Sequence, residues 1–282
     1  MRLERLVAEA LDEDLGPGDL TTDATIPPSV GGVGALLAKE PLVVCGHAAA
    51  AAVFAEVDRR LGGEVRYEVL VPDAAQVATR TEIARVHGPL RNVVIGERTA
   101  LNLVMRLCGI ATNTRRYVDA AGPSGPAVVD TRKTTPLHRE LEKHAVRCGG
   151  GKNHRFALYD GVLIKDNHVD AVGSLTEAVR RARAANHHLV RVEVEVRTLA
   201  EVDEALGTAA DALLLDNLDD DTLREAIRRA RAAKPGILLE ASGNMTPERI
   251  SRIASFGLDL VSAGGLIHQA RWADLSLKVR RA

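Results

Sequence analysis

From residue 127 onward the chain repeats one pattern: a short, nearly continuous apolar run that ends in polar or small residues, then a helical stretch. Six such runs follow in series, AVVDTRK, GVLIKDN, VEVEV, ALLLDN, ILLEASG and LVSAGG. Runs so short and so apolar read as strands covered on both faces, as parallel strands are. Consecutive runs begin roughly 20–35 residues apart, enough for one crossover helix each. The class is therefore α/β, closed either as a barrel or as a doubly wound open sheet. The endings favour the barrel. Thr131-Arg132-Lys133, Lys165-Asp166-Asn167, Glu195, Asp216-Asn217, Ser242-Gly243-Asn244 and Gly264-Gly265 would meet at one barrel mouth, whereas an open sheet would spread them along a line.

The first half of the chain reads differently. Leu3, Leu6, Val7, Ala10 and Leu11 recur at helical spacing until Gly16-Pro17-Gly18 stops the helix, an amphipathic start rather than an apolar signal core. DLTTDATIPP reads as a loop. GALLAKE, VRYEVLV and EIARVHG are β-like, and with an Ala-rich helix over Ala48 to Arg60 they predict a small α+β domain. Glu97 to Ala121 forms one long helical pattern, with Leu101, Val104, Met105, Cys108 and Ile110 apolar, that could bridge two domains.

Composition removes several function classes. Lys+Arg 37 against Asp+Glu 38 leaves a net charge of −1, so no global field draws nucleic acid or anionic membrane, and any anion site must be local. Aromatics at 2% are too few for base-stacking platforms. Ala48 to Ala55 is the most apolar stretch and falls short of the ~20 residues a membrane helix needs. Cys45, Cys108 and Cys148 are far apart, odd in number and without a CxxC pair, which argues against a disulfide framework or a zinc knuckle. A reducing cytoplasm is the expected compartment, without nucleic-acid or membrane partners.

The run endings supply cations, carboxylates and glycine-flanked amides. Cations suit an anionic substrate. Glu195 and Asp216 would repel that anion unless a metal sat between, and hard oxygen ligands beside phosphate suggest Mg²⁺. Gly243, Gly264 and Gly265 let backbone N–H groups approach a phosphate, as near the last two strands of many barrels. One phosphorylated and one acidic substrate are thus expected. Each piece has a plainer reading: Glu195 as a cap, Lys165 as a snorkelling lysine, CGGGKNHR as a flexible basic loop, Asp219-Asp220-Asp221-Thr222 as a helix start, His187 and His188 as surface residues. Nucleotide motifs fail, at Val146 for a P-loop ending in Gly151-Lys152 and at Thr21 after Gly16-x-Gly18. Two other readings remain: a barrel lyase with a Schiff base on Lys165, and a non-catalytic phosphate or dicarboxylate binder.

Nine strings in order, ALDEDLGPGDLTT, ERTALNLVMRLCGIAT, DTRKTTP, EKHAVRCGGGKNHR, LIKDNH, EVEV, LLLDN, LEASGN and SAGGLIH, resemble the quinolinate phosphoribosyltransferase family over nearly the whole chain. The resemblance implies an incomplete α/β barrel of parallel strands, over 111–269, with a smaller N-terminal α+β sandwich domain over 1–110. The C-terminal segment 270–282 is expected to pack back on the N-terminal domain. It implies transfer of phosphoribosyl from phosphoribosyl pyrophosphate to quinolinate with Mg²⁺, loss of CO₂, and a homodimer whose sites borrow a residue from the partner. By the matching motifs, Thr131, Arg132, His154, Arg155 and Lys165 bind quinolinate, with Arg98 entering from the other subunit. Lys133, Lys165, Glu195 and Asp216 are the catalytic set, with Glu195 and Asp216 at the metal, directly or through water. Ser242-Gly243-Asn244 and Ala263-Gly264-Gly265 match the 5′-phosphate loops. The chain departs from the family at Pro136-Leu137-His138, where Pro-Gly-Leu is usual, and at Ile267, where Thr is common.

Overall fold

A computed structural model describes residues 2–282 and divides them into two compact units. In chain order the elements are α1 (Arg2–Leu15), α2 (Leu20–Thr25), β1 (Gly31–Ala38), β2 (Leu42–Val43), α3 (His47–Leu61), β3 (Arg66–Val69), β4 (Gln76–Val77), β5 (Glu82–Pro89), α4 (Leu90–Ala121), β6 (Ala127–Val129) and α5 (Arg139–Cys148). There follow β7 (Val162–Ile164), α6 (Asp166–Val172), α7 (Leu175–Ala185), β8 (Val192–Val196), α8 (Leu199–Leu206), β9 (Ala212–Asp216), α9 (Asp220–Ala233), β10 (Leu238–Ser242), α10 (Pro247–Ile253), β11 (Leu260–Ser262), α11 (Gly265–His268) and β12 (Leu275–Arg281).

Among the described residues, the first unit comprises 2–115, 135–150 and 270–282. Its sheet runs β12-β1-β5-β3, antiparallel throughout, and β2 pairs with β4 in a short ribbon. Strict alternation of burial along β1 turns one face toward a core that includes Val7 and Leu11 of α1, Phe54 and Val57 of α3, and Val93 and Leu101 of α4. Gly34 has no Cβ because one would lie 2.7 Å from Val93 Cγ1. The C-terminal segment joins this unit through β12, which pairs with β1 over seven residues.

Three details differ from the sequence expectation. DLTTDATIPP contains a helix, since the Asp19 carboxylate caps α2 by accepting from Thr21 N at 2.9 Å and Thr22 N at 3.0 Å. The long helix starts at Leu90, directly after Pro89, rather than at Glu97. A boundary at 110/111 would put α5 with the barrel, yet residues 135–150 cluster with the first unit. Burial of Glu142 explains why: its carboxylate takes Arg106 of α4 at 2.9 Å and the backbone N–H of Thr135 at 2.8 Å.

The second unit, 116–134 and 151–269, is the α/β part. All six apolar runs are strands, hydrogen-bonded in parallel in the order β6-β11-β10-β9-β8-β7. The first strand pairs with the last, and β6 and β7 share no ladder, so the barrel is incomplete. Outward positions are apolar and buried under the crossover helices, as with Val192, Val194, Leu213, Leu215, Leu239 and Ala241. Inward positions carry Leu163 and Lys165, Glu193 and Glu195, Leu214 and Asp216, Glu240 and Ser242, because side chains alternate with period two. Asp219 caps α9 by accepting from Thr222 N at 2.8 Å, the plain helix start its acidic run suggested. Among the described residues no helix is long and apolar enough to cross a membrane.

Candidate active site

A cavity of about 720 Å³ opens at the C-terminal ends of the six strands, lined entirely from the second unit. Every site residue expected from the sequence lines it except Arg98: Thr131, Arg132, Lys133, His154, Arg155, Lys165, Glu195, Asp216, Ser242, Gly243, Asn244, Ala263, Gly264 and Gly265. Arg98 is exposed on α4, in the first unit.

The cationic side is built from the β6 end and the 151–161 segment. Asp130, fully buried at the end of β6, accepts from Asn153 Nδ2 at 2.6 Å and from the backbone N–H of His154 at 2.9 Å, which fixes the turn that carries His154 and Arg155. Arg155 donates from NH1 to the Gly161 carbonyl at 3.0 Å. Burial, and then the neighbouring Arg132, hold the Arg155 guanidinium below its ordinary value. Two guanidinium groups close enough to repel each other in a partly dehydrated pocket can together hold an anion with more than one carboxylate. Gly264 makes room for Lys133, since a Cβ there would lie 2.9 Å from Lys133 Cδ.

The acidic side lies on adjacent strands. Glu195 of β8 accepts from Lys165 Nζ at 3.0 Å. Asp216 ends β9, and its carboxylate makes no hydrogen bond or ion pair among the described residues. The chain turns after β9 through Asn217 at φ 54°, and after the neighbouring β10 through Gly243 at φ 92°. A Cβ on Gly243 would meet Asn217 Oδ1 at 2.3 Å, and Asn244 Nδ2 donates to that same oxygen at 3.2 Å. Only glycine permits this approach.

Two acidic residues escaped the sequence reading. Glu193 and Glu240 lie beneath the mouth, and Glu240 lines the cavity at 1% exposure. His154 Nε2 stands 3.1 Å from Glu193 Oε2 and 3.6 Å from Glu240 Oε2. The backbone N–H of Arg155 donates to His154 Nδ1 at 2.7 Å, so in the neutral ring the proton sits on Nε2, facing those carboxylates. Burial lowers the His154 pKa, but Glu193 and Glu240 outweigh it and leave the imidazole above its usual value. Burial, then Glu193, pushes the Glu240 carboxyl up to about 7. The signal for both residues was present: glutamates at alternate positions in strands otherwise wholly buried must face something that compensates them.

The two departures fall at the edges of this picture. Leu137 occupies φ 67°, a left-handed conformation that suits the glycine usual there, and its side chain is 82% exposed. Ile267 is buried and does not line the cavity.

Comparison with known proteins agrees along the chain. Residues 19–108 match the family model "Quinolinate phosphoribosyl transferase, N-terminal domain" and residues 110–278 its C-terminal counterpart. A probable nicotinate-nucleotide pyrophosphorylase [carboxylating] of Synechocystis sp. is 42% identical over 271 residues, covering 96% of this chain and 90% of that protein. The nicotinate-nucleotide pyrophosphorylase [carboxylating] of Mycobacterium leprae is 40% identical over 272 residues, covering 96% and 95%. The crystal structure of NadC from Streptococcus pyogenes superposes with a TM-score of 0.92 at 36% identity, covering 99% of this chain and 97% of that one.

Proposed function

The chain belongs to the quinolinate phosphoribosyltransferase family, and from that premise we propose how its cavity performs the reaction. The enzyme transfers phosphoribosyl from phosphoribosyl pyrophosphate to quinolinate with decarboxylation, giving nicotinate mononucleotide, pyrophosphate and CO₂ for NAD biosynthesis. One observation carries the assignment of roles: Arg132, Lys133, Arg155 and Lys165 line the same cavity as Glu195 and Asp216. Arg132 and Arg155 grip the two carboxylates of quinolinate, with Thr131, His154 and Lys165 completing the contact. Bidentate guanidinium forks fix the plane of the ring, so that its nitrogen faces the ribose C1. The glycine-flanked turns at Ser242-Gly243-Asn244 and Ala263-Gly264-Gly265 take the 5′-phosphate through backbone N–H groups.

Glu195 and Asp216 fit a hard cation, being oxygen donors on adjacent strands, with Asp216 free of protein partners among the described residues. We assign Mg²⁺ to this pair, directly or through water, where it would neutralise charge on the departing pyrophosphate. As the bond to pyrophosphate breaks, positive charge grows at C1, and the same two carboxylates stabilise it. Lys133, which lines the same cavity, supplies a counterion for the leaving negative charge. Once the ring nitrogen has bonded to C1, its positive charge stabilises the electron pair left on the adjacent ring carbon as that carbon's carboxylate departs as CO₂, and a proton from water takes up the pair to give the product. A Schiff-base role for Lys165 is disfavoured, because its Nζ is engaged with the Glu195 carboxylate at 3.0 Å. A pure binder would not need two carboxylates beside an anion.

A homodimer completes the reading, with Arg98 of each subunit reaching the other's site, and three free cysteines suit a reducing cytoplasm. The direct test is incubation of the protein with quinolinate, phosphoribosyl pyrophosphate and Mg²⁺. Nicotinate mononucleotide and CO₂ in equal amounts are expected, and failure to form either would refute the reading. Arg132→Ala and Arg155→Ala are each expected to weaken quinolinate binding by roughly 30-fold or more, from loss of a charge-assisted contact, with phosphoribosyl pyrophosphate affinity nearly unchanged. Equal weakening of both ligands, seen by calorimetry, would show the pocket to be divided differently.

A further inference from the structure

We propose that Cys45, Asp73, His144 and Cys148 form a tetrahedral site for a thiophilic divalent cation, zinc foremost, wholly within the first unit. Their four ligand atoms lie within 4.8 Å of one another. His144 Nε2 stands 3.2 Å from Asp73 Oδ2 and 3.4 Å from Cys148 Sγ. Zinc bonds of about 2.3 Å to sulfur and about 2.1 Å to nitrogen and oxygen give tetrahedral edges of about 3.4–3.8 Å. The two observed edges already fall close to that range, and closing the remainder takes side-chain shifts of no more than about 1 Å.

The four groups come from three places in the chain that share no sequence motif. His144 and Cys148 are four apart on α5 and so share one face of the helix. Cys45 precedes α3, and Asp73 lies between β3 and β4. Each is held from behind. Asp73 Oδ1 accepts from the backbone N–H of Gly46 at 3.1 Å and of His47 at 3.4 Å, leaving Oδ2 toward His144. The Cys45 backbone is pinned on both sides by Cys108, whose sulfur accepts from Cys45 N and donates to Cys45 O, each at 3.2 Å. Such support for the ligating groups is what a metal site requires. His47, though near, is not a candidate ligand: Tyr67 Oη and the Val71 carbonyl occupy its two ring nitrogens at 2.8 and 2.7 Å.

Arg147, which donates to His144 Nδ1 at 3.4 Å, is exposed and can swing aside when that nitrogen takes up the proton. Neither Cys45 nor Cys148 lines the cavity of the second unit.

The test uses the whole protein, reduced, stripped of metal and free of substrate, titrated with Co²⁺. One cobalt per chain is expected, with a thiolate-to-cobalt charge-transfer band and the visible absorption of a tetrahedral ion. Zn²⁺ should bleach both bands and Mg²⁺ should not. Cys148→Ser and His144→Ala, at partly exposed positions of α5, should each weaken cobalt binding tenfold or more, Cys148→Ser with a weaker charge-transfer band. Circular dichroism and transferase activity check that the variants are folded. The proposal is overturned if excess Co²⁺ gives no thiolate band, if the band survives Cys148→Ser at full strength, or if Mg²⁺ bleaches it.

Discussion

Glu240 is the residue at which pH and stability meet. Its carboxyl is held at about 7 against 4.5 for a free side chain, so between those values the folded protein keeps a proton that the unfolded chain has released. This group's contribution to stability is therefore greatest below about pH 4.5 and falls through the window up to about 7, by on the order of 3 kcal/mol. Glu240→Gln carries no charge to bury. It should flatten that stretch of the stability profile and melt above the parent at pH 8, and an unchanged slope in thermal unfolding would place the pH dependence elsewhere. Leu137 offers a simpler case. A left-handed non-glycine residue costs about 1–2 kcal/mol, partly offset by the extra freedom glycine adds to the unfolded chain. Leu137→Gly is thus expected to stabilise by up to about 1 kcal/mol in denaturant unfolding; destabilisation would mean that the exposed leucine has contacts worth more than the strain.

Among elements, α4 is constrained along its length by what packs on it. A Cβ on Gly109 would lie 2.0 Å from the carbonyl oxygen of Arg271, in the segment that leads into β12. Backbone cannot yield as a side-chain tip does, so Gly109→Ala should cost about 3 kcal/mol, as overpacking against a fixed partner does. The checkable signature is a lower denaturant midpoint with an unchanged m-value. The strands of the second unit show the opposite kind of constraint. Their outward faces tolerate any well-packed aliphatic, while the inward face of β8 and β10 places Glu193, Glu195 and Glu240 at alternate positions. The six strands were legible because burial on both faces writes a continuous apolar run, broken only where the cavity needs charge. The short α2 was not, because a cap of one aspartate and two threonines looks the same in a loop.

At the scale of the whole molecule, the proposed sharing of the site between two subunits has a decisive experiment. Arg98→Ala and Lys165→Ala homodimers should each be inactive, and mixing them under proven subunit exchange should restore about a quarter of parental activity, from mixed dimers that hold one intact site. No recovery would exclude sharing. What the sequence determined by itself was the order of strands, the residues at their ends and the division into two kinds of structure. Periodicity and chain-terminal chemistry at each strand are local, and local rules read them. Only the tertiary structure decided that Glu240 and Glu193 face His154, that α5 joins the first unit through Glu142, and that Cys45 and Cys148, far apart in the chain, stand with Asp73 and His144. Those associations depend on which segments the closed core brings side by side, and spacing along the chain carries no trace of them.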